Sequence, residues 1–162
     1  MRDGVLSEAL ESAPANPYGL AKDILRRQLE YLASARGVEL TWARLFYVWG
    51  ERQAAGSLYP SLSAAVQRGD RSFGMSGGEQ LRDFLPVSTV ADYLVQLSMR
   101  GKGTGVVNIC SGKPISVRRL VEGWIADNGW NISLNLGRYP YPDYEPMAFW
   151  GDPQKLNRCL ND

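Results

Sequence analysis

The sequence predicts an α/β fold, and three observations carry that reading. Stretches with a helical apolar period alternate with short runs that read as buried or alternating strands. Glycine, asparagine or proline punctuates most of the junctions between them. The chain has 162 residues and is 44% hydrophobic, enough to bury one domain-sized core. The strands are too few for a complete doubly wound sheet.

Residues 1–15 are polar, small and irregular, ending in ESAPANP, and read as a flexible lead-in to a unit spanning 16–162. Asn16-Pro17 is a helix start, because Asn caps and Pro suits the first helical position. From Tyr18 to about Arg36, Leu20, Ile24, Leu25, Leu29 and Leu32 recur with a helical period, and Gly37 supplies the stop. Val38 to Val48 is rich in β-branched, aromatic and leucine residues and reads as one buried strand, ended by Gly50. The loop ERQAAGS leads to a helix from Leu58 to Arg68, closed by Gly69-Asp70. Phe73 to Gln80 is Gly-rich and turn-like, and Phe84 to Val87 a short extended segment. Ser88 reads as the cap of a helix directing Val90, Leu94 and Leu97 to a core. GKGTG makes a turn and Val106 to Cys110 a strand; Ser116 caps a helix with Leu120, Val121, Trp124 and Ile125 on one face. Asn131 to Leu136 alternates as a strand, Tyr139 to Pro146 is an aromatic, proline-rich loop, and a short helix runs from Pro153 to Leu160.

Composition excludes whole classes of chemistry. With no histidine, Ser-His-Asp and Cys-His nucleophilic catalysis and His-containing zinc sites cannot be built within this chain, and no metal site is expected. Eighteen Lys+Arg against 17 Asp+Glu give a net charge of +1, with no electrostatic reason for a nucleic-acid or anionic-membrane partner. Cys110 and Cys159 form neither a CxxC pair nor a disulfide framework, so two buried thiols in a reducing, cytoplasmic setting are expected. No run of 18 apolar residues spans a membrane, and MRDGVLSEAL lacks the basic-then-apolar pattern of a secretion signal.

The chemistry starts at Tyr18 and Lys22, four apart and therefore on one face of the first helix. A neutral phenol is a poor acid–base group, and a cation one turn away stabilises the phenolate that proton transfer to or from a sugar hydroxyl needs. Read alone, the pair is equally an exposed helix pair.

The order NPYGLAK, a helix, GVELTWARLFYVWGERQ, LRDFLPV and GVVNICSGKPISVRRLVE resembles the extended short-chain dehydrogenases/reductases. Within them it looks most like the NAD(P)-dependent nucleotide-sugar epimerase, dehydratase and reductase group. The resemblance runs from about Pro14 to Leu160. It implies a partial Rossmann-like fold, in which residues 16–162 are the C-terminal strands and helices with the substrate-binding subdomain. Tyr18 would be the catalytic acid–base, and Lys22 would hold the nicotinamide ribose of NAD or NADP. Phe46 to Gly50 matches the stretch beside the nicotinamide and the sugar, which places Phe46 at the cofactor and Tyr47 and Trp49 at the substrate. The family usually has Asn after this Phe and Tyr before this Gly, so one polar contact to the substrate is lost here. Gln53 to Pro60 matches the loop and helix start that approach the nucleotide, with Gln53, Ser57 and Leu58 as contacts. Arg82 matches an arginine that binds the diphosphate of a nucleotide sugar, a task suited to a guanidinium fork. Outside that context Arg82 and Asp83 read equally well as a surface ion pair.

In the loop YPYPDYEPMAFWGDP no arginine stands between Tyr139 and Gln154, where many relatives supply a second phosphate ligand. Tyr141, Tyr144 and Trp150 either stack on a base or sugar or pack on their own domain, and Asp143 with Glu145 reads as a solvated acidic turn. The Gly-x-x-Gly-x-x-Gly turn that opens relatives is absent from the 162 residues, as is the Ser/Thr that precedes the tyrosine. The expectation is therefore the C-terminal portion of an enzyme acting on a nucleotide-linked sugar, weak in NAD(P) binding and turnover by itself. A stand-alone nucleotide-sugar-binding or regulatory module, and an enzyme for the family's steroid- or flavonoid-type substrates, are the alternatives. An apolar strand face around Thr41 to Val48 would favour homo-oligomers.

Overall fold

The computed structural model describes residues 3–141 and 146–161. Strand β1 (Gly4–Leu6) leads through a polar strap to helix α1 (Pro17–Arg36). Asn16 in extended conformation caps α1, its side chain accepting from the Gly19 N–H at 2.7 Å. At the far end Gly37 takes the left-handed conformation and returns its N–H to the Ala33 carbonyl. Strands β2 (Thr41–Leu45) and β3 (Tyr47–Trp49) are followed by α2 (Leu58–Gln67), β4 (Ser72–Gly74), β5 (Leu81–Arg82) and β6 (Phe84–Pro86). Then come α3 (Val87–Met99), β7 (Gly105–Ile109), β8 (Ile115–Ser116) and α4 (Val117–Asp127), capped by Ser116 as the sequence predicts. The chain closes with β9 (Ser133–Asn135), β10 (Phe149–Gly151) and α5 (Gln154–Asn161). No helix among the described residues is long and apolar enough to cross a membrane.

The strands pair two by two. Four pairs are parallel, β1 with β10, β2 with β7, β3 with β6 and β4 with β9, and β5 with β8 is antiparallel. Parallel pairing between segments far apart in sequence is the α/β, Rossmann-like arrangement. Two apolar clusters result. Leu85, Val90, Leu97, Val107, Ile109 and Leu156 join α3, β6, β7 and α5. Leu62, Met75, Val121, Trp124 and Ile132 join α2, α4 and the β4–β9 pair. Strand β3 straddles them, with Val48 packed on the first cluster and Trp49 on the second.

Several elements differ from the sequence reading. The lead-in is not irregular throughout: residues 4–6 pair with β10, and the buried Asn108 secures the start of the strap, donating its side-chain amide to the Leu6 carbonyl and its backbone N–H to Glu8. The single strand expected from Val38 to Val48 is two. At Phe46 the chain leaves β7 for a new neighbour, Phe46 still donating to the Ile109 carbonyl while Tyr47 donates to that of Asp83. Within the expected turn from Phe73 to Gln80 lies most of β4, and the aromatic loop runs directly into β10. Helix α3 starts at Val87 rather than after Ser88, because Pro86 at φ −59° already sets the entry.

Candidate active site

The first two turns of α1 present Tyr18 and Lys22 on one face, the ammonium lying 5.6 Å from the centroid of the Tyr18 ring. Tyr18 is 74% exposed, so the pair stands on an open surface. Below it Asp23 accepts from Arg26 and Arg27, and these guanidiniums, with a further contact from Ser12, hold its carboxyl down at about 2. Lys22 lines a cleft of about 290 Å³ with Ser12, Ala13, Arg26, Trp42 and Arg44. Phe46 lines a neighbouring cavity of about 410 Å³ that shares Ser12, Ala13 and Arg44 with that cleft.

One residue further on, the chain enters a separate pocket of about 330 Å³. Its lining includes Tyr47, Trp49, Gln53, Ser57, Leu58 and Arg82, which are the six residues the sequence assigns to the substrate. The walls are aromatic: Trp49 packs against Tyr59 and Trp124 with ring centroids 5.5 and 5.2 Å apart, and Tyr47 against Phe84 at 5.3 Å. The Gln53 amide braces the turn after β3, donating to the Val48 carbonyl at 2.9 Å and accepting from the Gly50 N–H at 3.2 Å. It steadies a turn in which Arg52 adopts φ 64°, a left-handed conformation uncommon outside glycine. Ser57 sits at the cap of α2 but makes no side-chain capping bond there. Tyr18, Lys22 and Phe46 are not in this lining.

Arg82 and Asp83 are not a surface pair. They are 2% and 0% exposed. The Asp83 carboxylate accepts from the Ser111 N–H and hydroxyl at 2.7 Å each, the Gly112 N–H at 2.9 Å and the Gly151 N–H at 3.3 Å. Arg82 donates to the carbonyls of Leu81, Met147 and Pro146. A charged dipeptide set between Leu81 and Phe84-Leu85, inside a run short enough to be a strand, is the signal by which sequence could have placed both inside. Arg44 and Glu8, too, were not singled out by sequence reasoning. Arg44 is held below its ordinary range by burial and by the like charge of Arg26.

In the aromatic loop Tyr141 accepts from the Glu79 N–H at 3.2 Å, and Trp150 lies in β10 beside Val5. Asp143, Tyr144 and Glu145 lie outside the described residues. Cys110 is buried as expected, and burial pushes its thiol up to about 12, which removes it from consideration as a nucleophile.

A model of the NAD dependent epimerase/dehydratase family matches residues 3–110. The chain is 34% identical over 141 residues to the dTDP-6-deoxy-L-talose 4-dehydrogenase (NAD(+)) of Aggregatibacter actinomycetemcomitans, covering 85% of this chain and 51% of that protein. Among solved structures, the UDP-N-acetylglucosamine 4-epimerase from Methanobrevibacter ruminantium M1, in complex with UDP-N-acetylmuramic acid, superposes with a TM-score of 0.84 at 26% identity, over 95% of this chain and 50% of its own. MoeE5 in complex with UDP-glucose and NAD does so at 0.78 and 29% identity, over 99% and 54%. The chain spans about half the length of the curated relatives it matches.

Proposed function

The chain belongs to the NAD-dependent epimerase/dehydratase family, and on that premise we propose that it supplies the substrate side of an NAD(P)-dependent oxidation and reduction at a carbon of a nucleotide-linked sugar. The observation that carries this reading is the single aromatic pocket that gathers Tyr47, Trp49, Gln53, Ser57, Leu58 and Arg82. Flat apolar walls with a few fixed polar groups suit a base or a sugar ring. Phe46, next in the chain to Tyr47, faces the cavity that adjoins the Lys22 cleft, so the sugar site and the Tyr18–Lys22 face follow one another along the surface.

The donor set fits the cofactor. Lys22 offers three N–H donors to ribose hydroxyls, and Phe46 offers a flat face to a nicotinamide ring. NAD(P), when bound, supplies the hydride acceptor or donor. Tyr18 takes or returns the proton of the sugar hydroxyl, with Lys22 beside it on the same helix face. Because the 162 residues hold no Gly-x-x-Gly-x-x-Gly turn to receive a pyrophosphate, turnover by this polypeptide alone should be low. The related names divide between dehydrogenase and epimerase, which share this half-reaction.

The test is calorimetric titration with UDP-, dTDP- and GDP-linked sugars, paired with turnover of an enzyme reconstituted with a dinucleotide-binding half. Tyr18→Phe should leave binding nearly intact and lower kcat by about 10²–10⁴-fold, the worth of a positioned acid–base group. Failure to bind any nucleotide sugar, or full turnover by Tyr18→Phe, would defeat the reading. A second reading is favoured by a specific observation, that the pocket is lined without any residue of α1. A non-catalytic nucleotide-sugar-binding module would bind equally well, and no reconstitution would make it turn over.

A further inference from the structure

Among the described residues β7 pairs with one strand, β2, and its far side is an outer edge of that sheet. Gly105 donates its N–H to the Leu40 carbonyl and Ile109 accepts from the Phe46 N–H, so the odd positions of β7 serve the side facing β2. Backbone groups alternate sides along a strand, and those of Thr104, Val106 and Asn108 therefore turn outward. An edge of this kind is a template for a second strand. The sequence of β7, GVVNI, suits such pairing, being rich in β-branched residues, uncharged and free of proline. The outward groups are nevertheless occupied. The Lys155 ammonium donates to the Thr104 carbonyl at 2.7 Å and to the Val106 carbonyl at 2.6 Å. The Glu8 carboxylate accepts from the Asn108 N–H at 2.9 Å, and the Asn108 side chain holds the same strap through the Leu6 carbonyl at 2.8 Å.

We propose that Glu8 and Lys155 seal the outer edge of β7 and so keep a second copy of this chain from adding a strand there. Each charge meets backbone groups of opposite polarity, the ammonium two carbonyls and the carboxylate an N–H, and such charge-assisted hydrogen bonds are the stronger kind. An incoming strand would have to displace both side chains and take their charges from these partners. The two reach the edge from opposite ends of the chain. Glu8 lies in the strap after β1, 100 positions before Asn108. Lys155 lies in the first turn of α5, where its neighbour Leu156 is buried in the first apolar cluster. Because both charges come from outside the strand, β7 itself stays apolar, with Val107 and Ile109 buried in the core. The seal is independent of what the aromatic pocket binds.

The experiment compares the full chain with Glu8→Ala, Lys155→Met and the double variant, and with Glu8→Gln and Lys155→Arg. Glutamine keeps an acceptor and arginine keeps donors, so these last two should behave as the wild type. By NMR, the Asn108 amide should exchange with solvent at least about tenfold faster in Glu8→Ala and within about twofold of wild type in Glu8→Gln. Under agitation, thioflavin T fluorescence of the double variant should rise after a lag at least about fivefold shorter than that of the wild type, with the lag of Lys155→Arg unchanged. Leu62→Ala, which opens a cavity in the other apolar cluster, controls for lost stability alone and is compared at the temperature that unfolds an equal fraction. Unchanged Asn108 exchange in Glu8→Ala would overturn the proposal. So would an unchanged lag in the double variant, or an equally short lag in Leu62→Ala. Should the double variant not fold, the Asn108 exchange and the lag of Glu8→Ala decide by the same criteria.

Discussion

Asp23 shows how much a single side chain can organise. It stands one residue after Lys22, accepts from Arg26 and Arg27, and so anchors the helix face on which Tyr18 and Lys22 are mounted. Its carboxyl is held near 2 by those guanidiniums, with Arg26 the larger influence. A depressed carboxyl contributes stability that is fully present above the unfolded value near ~4 and lost as pH falls through the folded one. Unfolding midpoints measured from pH 5 down to pH 2 should therefore fall across that window, and fall less in Asp23→Asn, whose neutral amide cannot titrate. At this scale the sequence was most informative. The spacing of Tyr18 and Lys22 gave their shared face, and the run from Tyr47 to Leu58 with Arg82 gave a lining that the fold assembles into one pocket. The fate of the guanidinium was not legible, because two of its partners are backbone carbonyls 64 and 65 positions away.

The elements are held in place at junctions more than along their lengths. Asp83, between β5 and β6, receives donors from the β7–β8 turn and from β10. Replacing it with asparagine would remove the charge and set an amide NH₂ against N–H groups that need an acceptor. We expect Asp83→Asn to cost about 2–4 kcal/mol, read as a lower urea midpoint at unchanged slope. Elements with local signatures were legible: α1 from its cap and glycine stop, α4 from Ser116, β7 from its apolar run. Strands β1, β4 and β10 were not, because each is three residues long and becomes a strand only by pairing with a partner distant in sequence. The break at Phe46 escaped notice for the same reason, since a change of neighbour leaves no mark on hydrophobicity.

Across the whole molecule, two apolar clusters take the place of the single core that composition suggested, and β3 joins them. Neither claims α1. That helix buries none of its residues, and Leu20, Ile24, Tyr31 and Leu32 remain exposed along it. Strand β2 pairs only with β7 among the described residues. An apolar helix face beside an open strand edge favours association. Sedimentation velocity should show the average mass rising with protein concentration, and Ile24→Lys should move the chain toward monomer; a wild-type monomer at every concentration would refute this. Asp83 bears on time as well as on stability. Its donors lie 28, 29 and 68 positions further along the chain. The carboxylate is thus satisfied only after two remote segments, the β7–β8 turn and β10, have reached it, and closing such loops is entropically slow. The clamp belongs to the last stage of assembly, so its loss would leave the rate of folding nearly untouched and shorten the lifetime of the native state.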